Sequence, residues 1–518
     1  MTTGRDFGEL LRTSARQHHD RIAVTCESTQ QTYAELFERS CRLAQALAGL
    51  GVEPGDRVAL LGPNSRWTVE QATGLALGGF VRAALYAHQT AEVNAYLTDL
   101  VDAKVLIVAA SAVEPLLARK QEMSALEHVV VYDGPAPAGA LDYAELLAAA
   151  STEDPLARTA PTDLHVIRFS AGTTGRPKGI AHTVEGWMRS NDEYRWVTPQ
   201  LDERDTYLAL GQLTHAASVF LWPILQVGAR VMVVPAFDPG HALELIETER
   251  ATFTLVVPTM IQAMVAHPEA TKRDLSSLRC MNYAASPISE ATLARAVELF
   301  GDDVLYQMYA QSEAWPITML LPHEHRDRPR SVGRATPNNV LTIVDDDGHP
   351  LPTGEIGEIA VRGPGRMLEI WKEPATTAAR TLPDGSLRTR DMGRVDEAGY
   401  LFLADRKDDL IISGGFNIWP AELENALAAH PAVAEVCVVG IPHEKWGETP
   451  IAVVVPAPGA VIDAAELIAF CRERVGAVNK VTAVEVVDEL PKSGVGKVLR
   501  RLVREQYWAG REDNLGGA

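Results

Sequence analysis

Short apolar segments alternate with longer amphipathic segments along the chain. Uninterrupted apolar runs, which are typical of buried strands, lie at 57–62, 104–110, 128–134, 229–235 and 253–258. Between them, residues near 67–79 and 239–250 have apolar positions at helical spacing. Strands that alternate with helices favour sheets whose strands are largely parallel. The pattern therefore predicts an α/β fold for this part of the chain.

The pattern changes near residue 333. From there to 407 the apolar runs are short, and turn signals such as DDG, PTGE and PDGS recur at hairpin spacing, which predicts a small β-rich subdomain. Beyond residue 408 a compact α+β unit is expected, with helices at 420–429, 463–474 and 497–508 and strands near 434–440 and 450–456. We therefore predict a large N-terminal domain over 1–407 and a small C-terminal domain over 408–518.

Composition and charge exclude several classes of protein. A chain of 518 residues, 46% hydrophobic and 22% charged, is too long for one hydrophobic core and is typical of a globular protein with at least two domains. Its net charge of −20 is not that of a nucleic-acid-binding protein. Five scattered cysteines without a CxxC pair argue against a disulfide framework or a zinc site and fit a reducing cytoplasm.

No membrane or export segment is predicted. Residues 1–20 are polar and lack the apolar run of a signal peptide. Residues 206–229 carry no formal charge, but Gln212, His215 and Pro223 interrupt them, which is a poor match to the ~20 apolar residues of a membrane span. We predict that this segment is buried interior near a pocket and that the protein is cytoplasmic.

Residues 169–179 read FSAGTTGRPKG, with the glycines, hydroxyls and lysine of a phosphate-binding loop. They are not a P-loop of the form GxxxxGK[ST], because Pro177 and Gly179 stand at two of its fixed positions. Hydroxyls, a lysine and the backbone N–H groups that glycines leave accessible still suit phosphate. The candidate phosphate ligands are Ser170, Gly172, Thr173, Thr174, Gly175 and Lys178. From the loop alone, an ordinary Gly/Thr turn after the strand HVIRFS is an equally good interpretation.

Four later segments change that balance. They are YAQSE (309–313), LRTRDMG (387–393), GYLFLADRKDDLIISGGFNI (399–418) and PKSGVGK (491–497). Together with the loop, in this order and spacing, the chain resembles the adenylate-forming superfamily of acyl-CoA synthetases, aryl-CoA ligases, peptide-synthetase adenylation domains and luciferases. The resemblance covers nearly the whole chain. It implies that ATP and a carboxylic acid form an acyl-adenylate, which in the CoA-ligase branch is passed to the thiol of CoA.

The resemblance also implies roles for single residues. Lys497 would bridge the carboxylate and α-phosphate oxygens during catalysis, and Glu313 would be the Mg²⁺ ligand. Asp391, assisted by Arg406, would hold the ribose hydroxyls. Tyr309 would offer its ring to the adenine, near the strand end formed by Ala284, Ala285 and Ser286.

In the same family the small C-terminal domain is mobile and alternates between two poses. Asp408 matches the hinge position of the aryl-CoA ligases, and Gly414 and Gly415 would line a tunnel for the pantetheine of CoA. Trp446 would pack against CoA, although plain core packing is nearly as good an interpretation.

The acid is expected to bind among residues 211–220, 282–286 and 307–316. The predicted lining is His215, Tyr283, Met308, Ala310 and Trp315, a set of aromatic and soft apolar walls with few cations. His215 would gate this pocket or stand beside the reacting carboxylate as a catalytic residue. We predict a compact, mostly uncharged acid, with an aromatic acid narrowly ahead of a short or medium aliphatic one.

Two other functions stay open. The acyl group could pass to a carrier protein acting in trans, or to another nucleophile such as an amine, instead of CoA. Alternatively, the chain could be a nucleotide-binding protein without catalysis, although the presence of Lys497, Glu313 and Asp391 argues against this.

Overall fold

The computed structural model describes residues 6–87, 89–170, 177–286, 288–328, 330–406, 409–413, 416–443, 445–476, 481–492 and 498–508. Within them the α-helices are α1 (Phe7–Gln17), α2 (Tyr33–Gly49), α3 (Arg66–Gly78), α4 (Ala91–Leu100), α5 (Ala110–Leu117), α6 (Tyr143–Ala149), α7 (Val184–Val197), α8 (Leu221–Gln226), α9 (Pro239–Thr248), α10 (Pro258–Ala266), α11 (Glu290–Phe300), α12 (Pro374–Ala379), α13 (Pro420–Ala428), α14 (Ala464–Val475) and α15 (Arg500–Trp508).

The strands of the same residues are β1 (Ile22–Cys26), β2 (Thr29–Thr32), β3 (Arg57–Leu61), β4 (Val81–Ala84), β5 (Val105–Ala109), β6 (His128–Tyr132), β7 (Leu141–Asp142), β8 (Leu164–Ser170), β9 (Lys178–Thr183), β10 (Thr206–Ala209), β11 (Arg230–Val233), β12 (Phe253–Val256), β13 (Cys280–Tyr283), β14 (Leu305–Tyr309), β15 (Thr318–Leu320), β16 (Arg334–Ala335), β17 (Val340–Val344), β18 (Gly357–Arg362), β19 (Glu369–Ile370), β20 (Leu387–Val395), β21 (Leu401–Arg406), β22 (Ile411–Ser413), β23 (Phe416–Ile418), β24 (Val433–His443), β25 (Gly447–Pro456) and β26 (Ala483–Val486).

Two large sheets form the first part of the molecule, and the predicted α/β class is confirmed. One has the order β16-β15-β14-β13-β12-β10-β11-β1-β2, and the other β19-β9-β8-β4-β3-β5-β6-β7. The strands are parallel from β14 to β1 in the former and from β8 to β7 in the latter. Parallel sheets bury both faces, which is why the apolar runs are nearly continuous.

A hydrophobic cluster fills the space between these two sheets. It joins Val58 and Ile107 of one sheet to Val231 of the other, with Leu43 and Trp222 from the helices between them. We call this set the inter-sheet cluster. The uncharged segment 206–229 contributes β10 and α8 to it, as expected of buried interior. Among the described residues, no helix combines the length and the apolar character needed to cross a bilayer.

Two smaller sheets follow. The four strands β17-β18-β20-β21 are all antiparallel, which agrees with the β-rich pattern after residue 333. The last sheet has the order β23-β22-β25-β24, with β26 parallel to β25 and the helices α13 and α14 packed beside it. The boundary at 407/408 lies between these sheets at two residues outside the described ranges, and it stays a prediction.

Most element ends fall within two residues of the predicted ones, and the differences have local causes. The predicted strand 253–258 ends at Val256 because Pro258 starts α10, where its fixed φ and missing N–H suit the first helical position. The five cysteines are buried and form no disulfide.

Candidate active site

The candidate residues gather where parallel strands end. Ser170 ends β8, Tyr283 ends β13 and Tyr309 ends β14, so these three candidates lie at the carboxyl edges of the two sheets. Ligands of open α/β sheets bind at such edges. Ala284, Ala285 and Ser286 follow β13 directly, and Ala285 has a φ of 78°, which turns the chain sharply at this edge.

Asp391 is the centre of a hydrogen-bond network that joins three separate segments. The hydroxyl of Tyr309 donates to Asp391 Oδ2 at 2.7 Å. Gln311 Nε2 donates to the same oxygen and, at 2.9 Å, to the carbonyl of Thr389. The backbone of Asp391 is paired with that of Arg406 across β20 and β21. The structure therefore brings the predicted adenine and ribose residues together, and it adds Gln311, which the sequence did not single out.

Glu313 lies beside an arginine that the sequence did not predict. Arg380 Nη1 is 3.7 Å from Glu313 Oε1, and Arg380 Nε donates to the carbonyl of Arg388 at 2.6 Å. Burial lowers the pKa of Arg380, while the charge of Glu313 raises it. Arg380 Nη2 is buried and has no hydrogen-bond partner among the described residues. A buried donor of this kind, next to a carboxylate, is suited to a phosphate oxygen.

The turn that carries Glu313 is held by backbone contacts. Gln311 and Ala314 exchange two N–H···O bonds of 2.8 and 3.3 Å, and the N–H of Met367 donates to the carbonyl of Glu313 at 2.7 Å. His182 Nε2 lies 2.7 Å from the carbonyl of Ser312. The backbone that carries Glu313 is therefore held in place, and a carboxylate oxygen is a hard ligand that fits Mg²⁺.

The candidate phosphate loop connects the antiparallel strands β8 and β9. Ser170 at the end of β8 pairs with Lys178 at the start of β9. Gly172, Thr173, Thr174 and Gly175 lie outside the described residues. Lys178 Nζ donates to Glu373 Oε2 at 2.7 Å, and this contact lowers the pKa of Glu373. The lysine is therefore oriented by a carboxylate from a distant segment, a partner that the loop sequence could not show.

His215 lies close to β8, the strand that precedes the candidate phosphate loop. Its ring centroid is 4.7 Å from that of Tyr86, whose hydroxyl donates to the carbonyl of Phe169 in β8. His215 Nδ1 is 2.8 Å from Thr214 Oγ1. This position beside β8 suits the gating role expected from the sequence. Tyr86, which follows β4, was not predicted because no motif marks it.

The predicted acyl-pocket residues fall on two faces of one sheet. Met308, Trp315 and the partly buried Ala310 belong to the inter-sheet cluster, where Trp315 packs 4.4 Å from the ring of Trp187. Tyr283 packs on the opposite face, and its hydroxyl is 3.0 Å from His325 Nε2. Since Tyr283 is in register with Gln307 and neighbouring side chains alternate, it cannot share a wall with Met308. The prediction of Tyr283 as an acyl-pocket residue is therefore corrected.

The C-terminal candidates are described only in part. Trp446 is 41% exposed and stacks on His443 with 4.4 Å between ring centroids. The interpretation of Trp446 as core packing is therefore wrong, whereas a surface role remains a prediction. Asp408, Gly414, Gly415 and Lys497 lie outside the described residues, as does the side chain of Arg406.

Known proteins resemble the whole chain. The family model of the AMP-binding enzyme matches residues 11–371, and that of the AMP-binding enzyme C-terminal domain matches residues 422–497. A medium/long-chain-fatty-acid–CoA ligase of Mycobacterium tuberculosis is 35% identical over 97% of this chain and 90% of the relative. A feruloyl-CoA synthase of Amycolatopsis is 37% identical over 95% of this chain and 97% of the relative.

A solved structure extends the similarity to the fold. The amide bond synthetase McbA of Marinactinospora thermotolerans has a TM-score of 0.87 and 30% sequence identity. The match covers 97% of this chain and 100% of that one.

Proposed function

The chain belongs to the family of AMP-binding enzymes and is an AMP-forming acid–thiol ligase, and from this premise we propose how its residues act and on what. The carboxylate oxygen of an acid attacks the α-phosphorus of ATP, the bond from that phosphorus to pyrophosphate breaks, and an acyl-adenylate forms. The thiol of CoA then attacks the acyl carbon, giving a thioester and releasing AMP.

The observation that carries the proposal is the Asp391 network. A carboxylate that is held by Tyr309 and Gln311 at the carboxyl edge of a sheet can accept hydrogen bonds from the 2′- and 3′-hydroxyls of a ribose. The ring of Tyr309 is fixed by the same contact, which positions it to pack against the adenine.

The phosphates have their own set of residues. Three anionic groups meet at the reacting phosphorus in a chain whose net charge is −20, so local cations must supply the attraction. Lys178, Arg380 and Lys497 are the candidate cations. Glu313 is the residue that would hold Mg²⁺, which when bound would neutralise phosphate charge as the pyrophosphate leaves.

The second step needs the C-terminal part to move. We propose that Asp408 is the hinge between the domains 1–407 and 408–518. Gly414 and Gly415 then leave room for pantetheine, and the exposed stack of Trp446 on His443 receives another part of CoA. An amine or a carrier-protein thiol is the alternative acceptor, and the similarity to an amide bond synthetase favours testing it.

For the acid, we propose an aromatic compound ahead of a short or medium aliphatic one. Met308 shares the inter-sheet cluster with Trp187, Tyr194 and Trp315. The hydroxyl of Tyr194 donates to the sulfur of Met308, and the ring of Trp315 packs on those of Trp187 and Tyr194. Aromatic walls pack well on a flat ring. His215, whose ring packs on Tyr86, would gate the entry of the acid.

Exchange of labelled pyrophosphate into ATP tests the adenylation step. We expect acid-dependent exchange across a panel of benzoates, cinnamates and aliphatic acids, and loss of exchange by about 100-fold or more in Lys497→Ala, as for removal of a group that stabilises transition-state charge. Lys492→Ala is the matched control, because Lys492 lies in the same segment but pairs with Glu435 at 2.7 Å. Wild-type exchange in Lys497→Ala would refute the assigned role.

A further inference from the structure

Arg82 is a buried cation that has no anionic partner in the described part of the chain. It lies on β4 opposite Val58 of β3 and Val166 of β8, so its side chain enters the inter-sheet cluster. It is 6% exposed, and among the described residues no group accepts a hydrogen bond from it or forms an ion pair with it. Burial of an unpaired charge is costly, and such a group calls for an explanation.

A second arginine increases this positive charge. Arg168 lies on β8 with its guanidinium 5.6 Å from the ring of Trp187, and it too makes no ion pair with the described residues. Burial lowers the pKa of Arg82 to about 10, and repulsion by Arg168 contributes. Arg82 therefore remains charged at neutral pH. Burial lowers the pKa of Arg168, and the charge of Glu313 raises it without forming an ion pair with it. The carboxylate of Glu70 is bound by Arg39 and Tyr143.

Other buried donors continue from Arg82 through the cluster. Buried side-chain nitrogens without a hydrogen-bond partner among the described residues include those of Gln71, Arg82, His165, Trp187 and Trp315. They are neighbours in space: the charge of Arg82 lowers the pKa of His165, the rings of His165 and Trp187 are 5.8 Å apart, and Trp187 packs on Trp315. The N–H groups of Arg82, Trp187 and Trp315 can only donate, so they are complementary to a ligand that brings acceptor oxygens.

A small cavity, with room for about one water molecule, lies beside Arg82. Its lining includes Thr68 and Gln71 of α3, Arg82, and Leu213 and Thr214. Thr214 precedes His215, and the chain that leaves β4 after Ala84 reaches Tyr86, the residue that packs on His215. Arg82 and Tyr86 are four residues apart, so at most roughly 14 Å separates their backbones. A chain of several carbon atoms can bridge the two regions.

We propose that the acid carries a second carboxylate at the end away from the reacting one, and that Arg82 binds it while Arg168 adds attraction. The proposal rests on the adenylating function and refines the class of its substrate. A guanidinium presents two parallel donors that match a carboxylate, and burial strengthens the pair. The expectation of a mostly uncharged acid assumed few cations near the pocket, and these two arginines revise it.

The experiment compares octanoate, octanedioate and the ω-hydroxy acid of the same length in pyrophosphate exchange. Wild-type protein should use octanedioate with a kcat/KM about 10- to 100-fold above that of octanoate, since a charged hydrogen-bonded pair contributes in this range. Arg82→Met should remove that preference, and Arg82→Lys should retain part of it. Equal use of octanoate and octanedioate, or a preference for octanedioate that survives in Arg82→Met, overturns the proposal. A preference for the ω-hydroxy acid over octanedioate would show that the substrate does not carry a second carboxylate.

A binding measurement keeps this test separate from the proposed function. Octanedioate without ATP should raise the Tm of the wild-type protein, while octanoate should not, and the rise should vanish in Arg82→Met. Replacing a buried unpaired charge by an apolar side chain is not expected to unfold the protein. The matched control is Arg204→Met, because Arg204 is an exposed arginine paired with Asp202, and it should behave as wild type. Absence of exchange with every acid would refute adenylation, whereas absence of the dicarboxylate shift would refute the Arg82 site.

Discussion

Tyr309→Phe separates the two roles assigned to Tyr309. The variant keeps the ring that is proposed to face the adenine and removes the hydroxyl that donates to Asp391 Oδ2 at 2.7 Å. Asp391, the proposed ribose ligand, keeps the hydrogen bond from Gln311 and loses the one from Tyr309. The variant therefore tests whether this network positions Asp391 for ATP.

The size of the effect follows from the type of bond. A hydrogen bond to a charged group contributes about 1.5–3 kcal/mol, and since Asp391 is half-buried and retains Gln311 we take the lower end, about 1.5 kcal/mol. Each 1.4 kcal/mol is a factor of ten, so the KM for ATP should rise about 10-fold. Because the ribose is bound equally in the ground state and the transition state, kcat should change little.

The assay is pyrophosphate exchange as a function of ATP concentration at saturating acid. Tyr306→Phe is the matched control, since Tyr306 lies on the same strand, β14, and its ring has no assigned contact with nucleotide. An unchanged KM for ATP in Tyr309→Phe, or the same rise in Tyr306→Phe, would refute the reasoning. A fall in kcat alone would place the hydroxyl in the chemical step instead.

Two further variants test the structure around the site. Burial lowers the pKa of His182 to about 3, below the value of about 6.5 in the unfolded chain. The unfolded state therefore binds a proton at a higher pH than the folded state does. As the pH drops below about 6, the free energy of unfolding should fall by about 1.4 kcal/mol per pH unit. His182→Gln should flatten this slope in urea unfolding between about pH 6 and pH 4, and an unchanged slope would contradict the assignment. Arg500 donates to both carboxylate oxygens of Glu424 at 2.7 Å and to Asp409 at 3.0 Å. Arg500→Met should lower the free energy of unfolding of the C-terminal part by about 2 kcal/mol, and a loss below 0.5 kcal/mol would show that the contacts are dispensable.

The sequence predicted local structure well because local patterns determine it. The strand expected at 57–62 is β3, and the helix expected at 420–429 is α13, each within one residue. The turn-rich pattern after residue 333 likewise corresponds to an antiparallel sheet. Apolar runs, turn residues and prolines act over a few residues, and they can be read without knowing the fold.

Contacts between distant segments could not be predicted in this way. Arg380 contacts Glu313, which is 67 residues away in sequence, and Glu373 contacts Lys178, which is 195 residues away. Tyr283 was assigned to the wrong wall because its face depends on the register between β13 and β14. Arg82 was missed because a single arginine in an apolar run gains meaning only when its surroundings are known to lack a carboxylate.

One measurement tests the central claim most directly. Wild-type protein is supplied with ATP labelled in the α-phosphate, with Mg²⁺, CoA and the preferred acid, and the products are separated and counted. We predict that AMP and acyl-CoA form in equal amounts and that no ADP appears. Labelled ADP, or AMP formed without a matching amount of acyl-CoA, would contradict ligation of the acid to CoA through an acyl-adenylate.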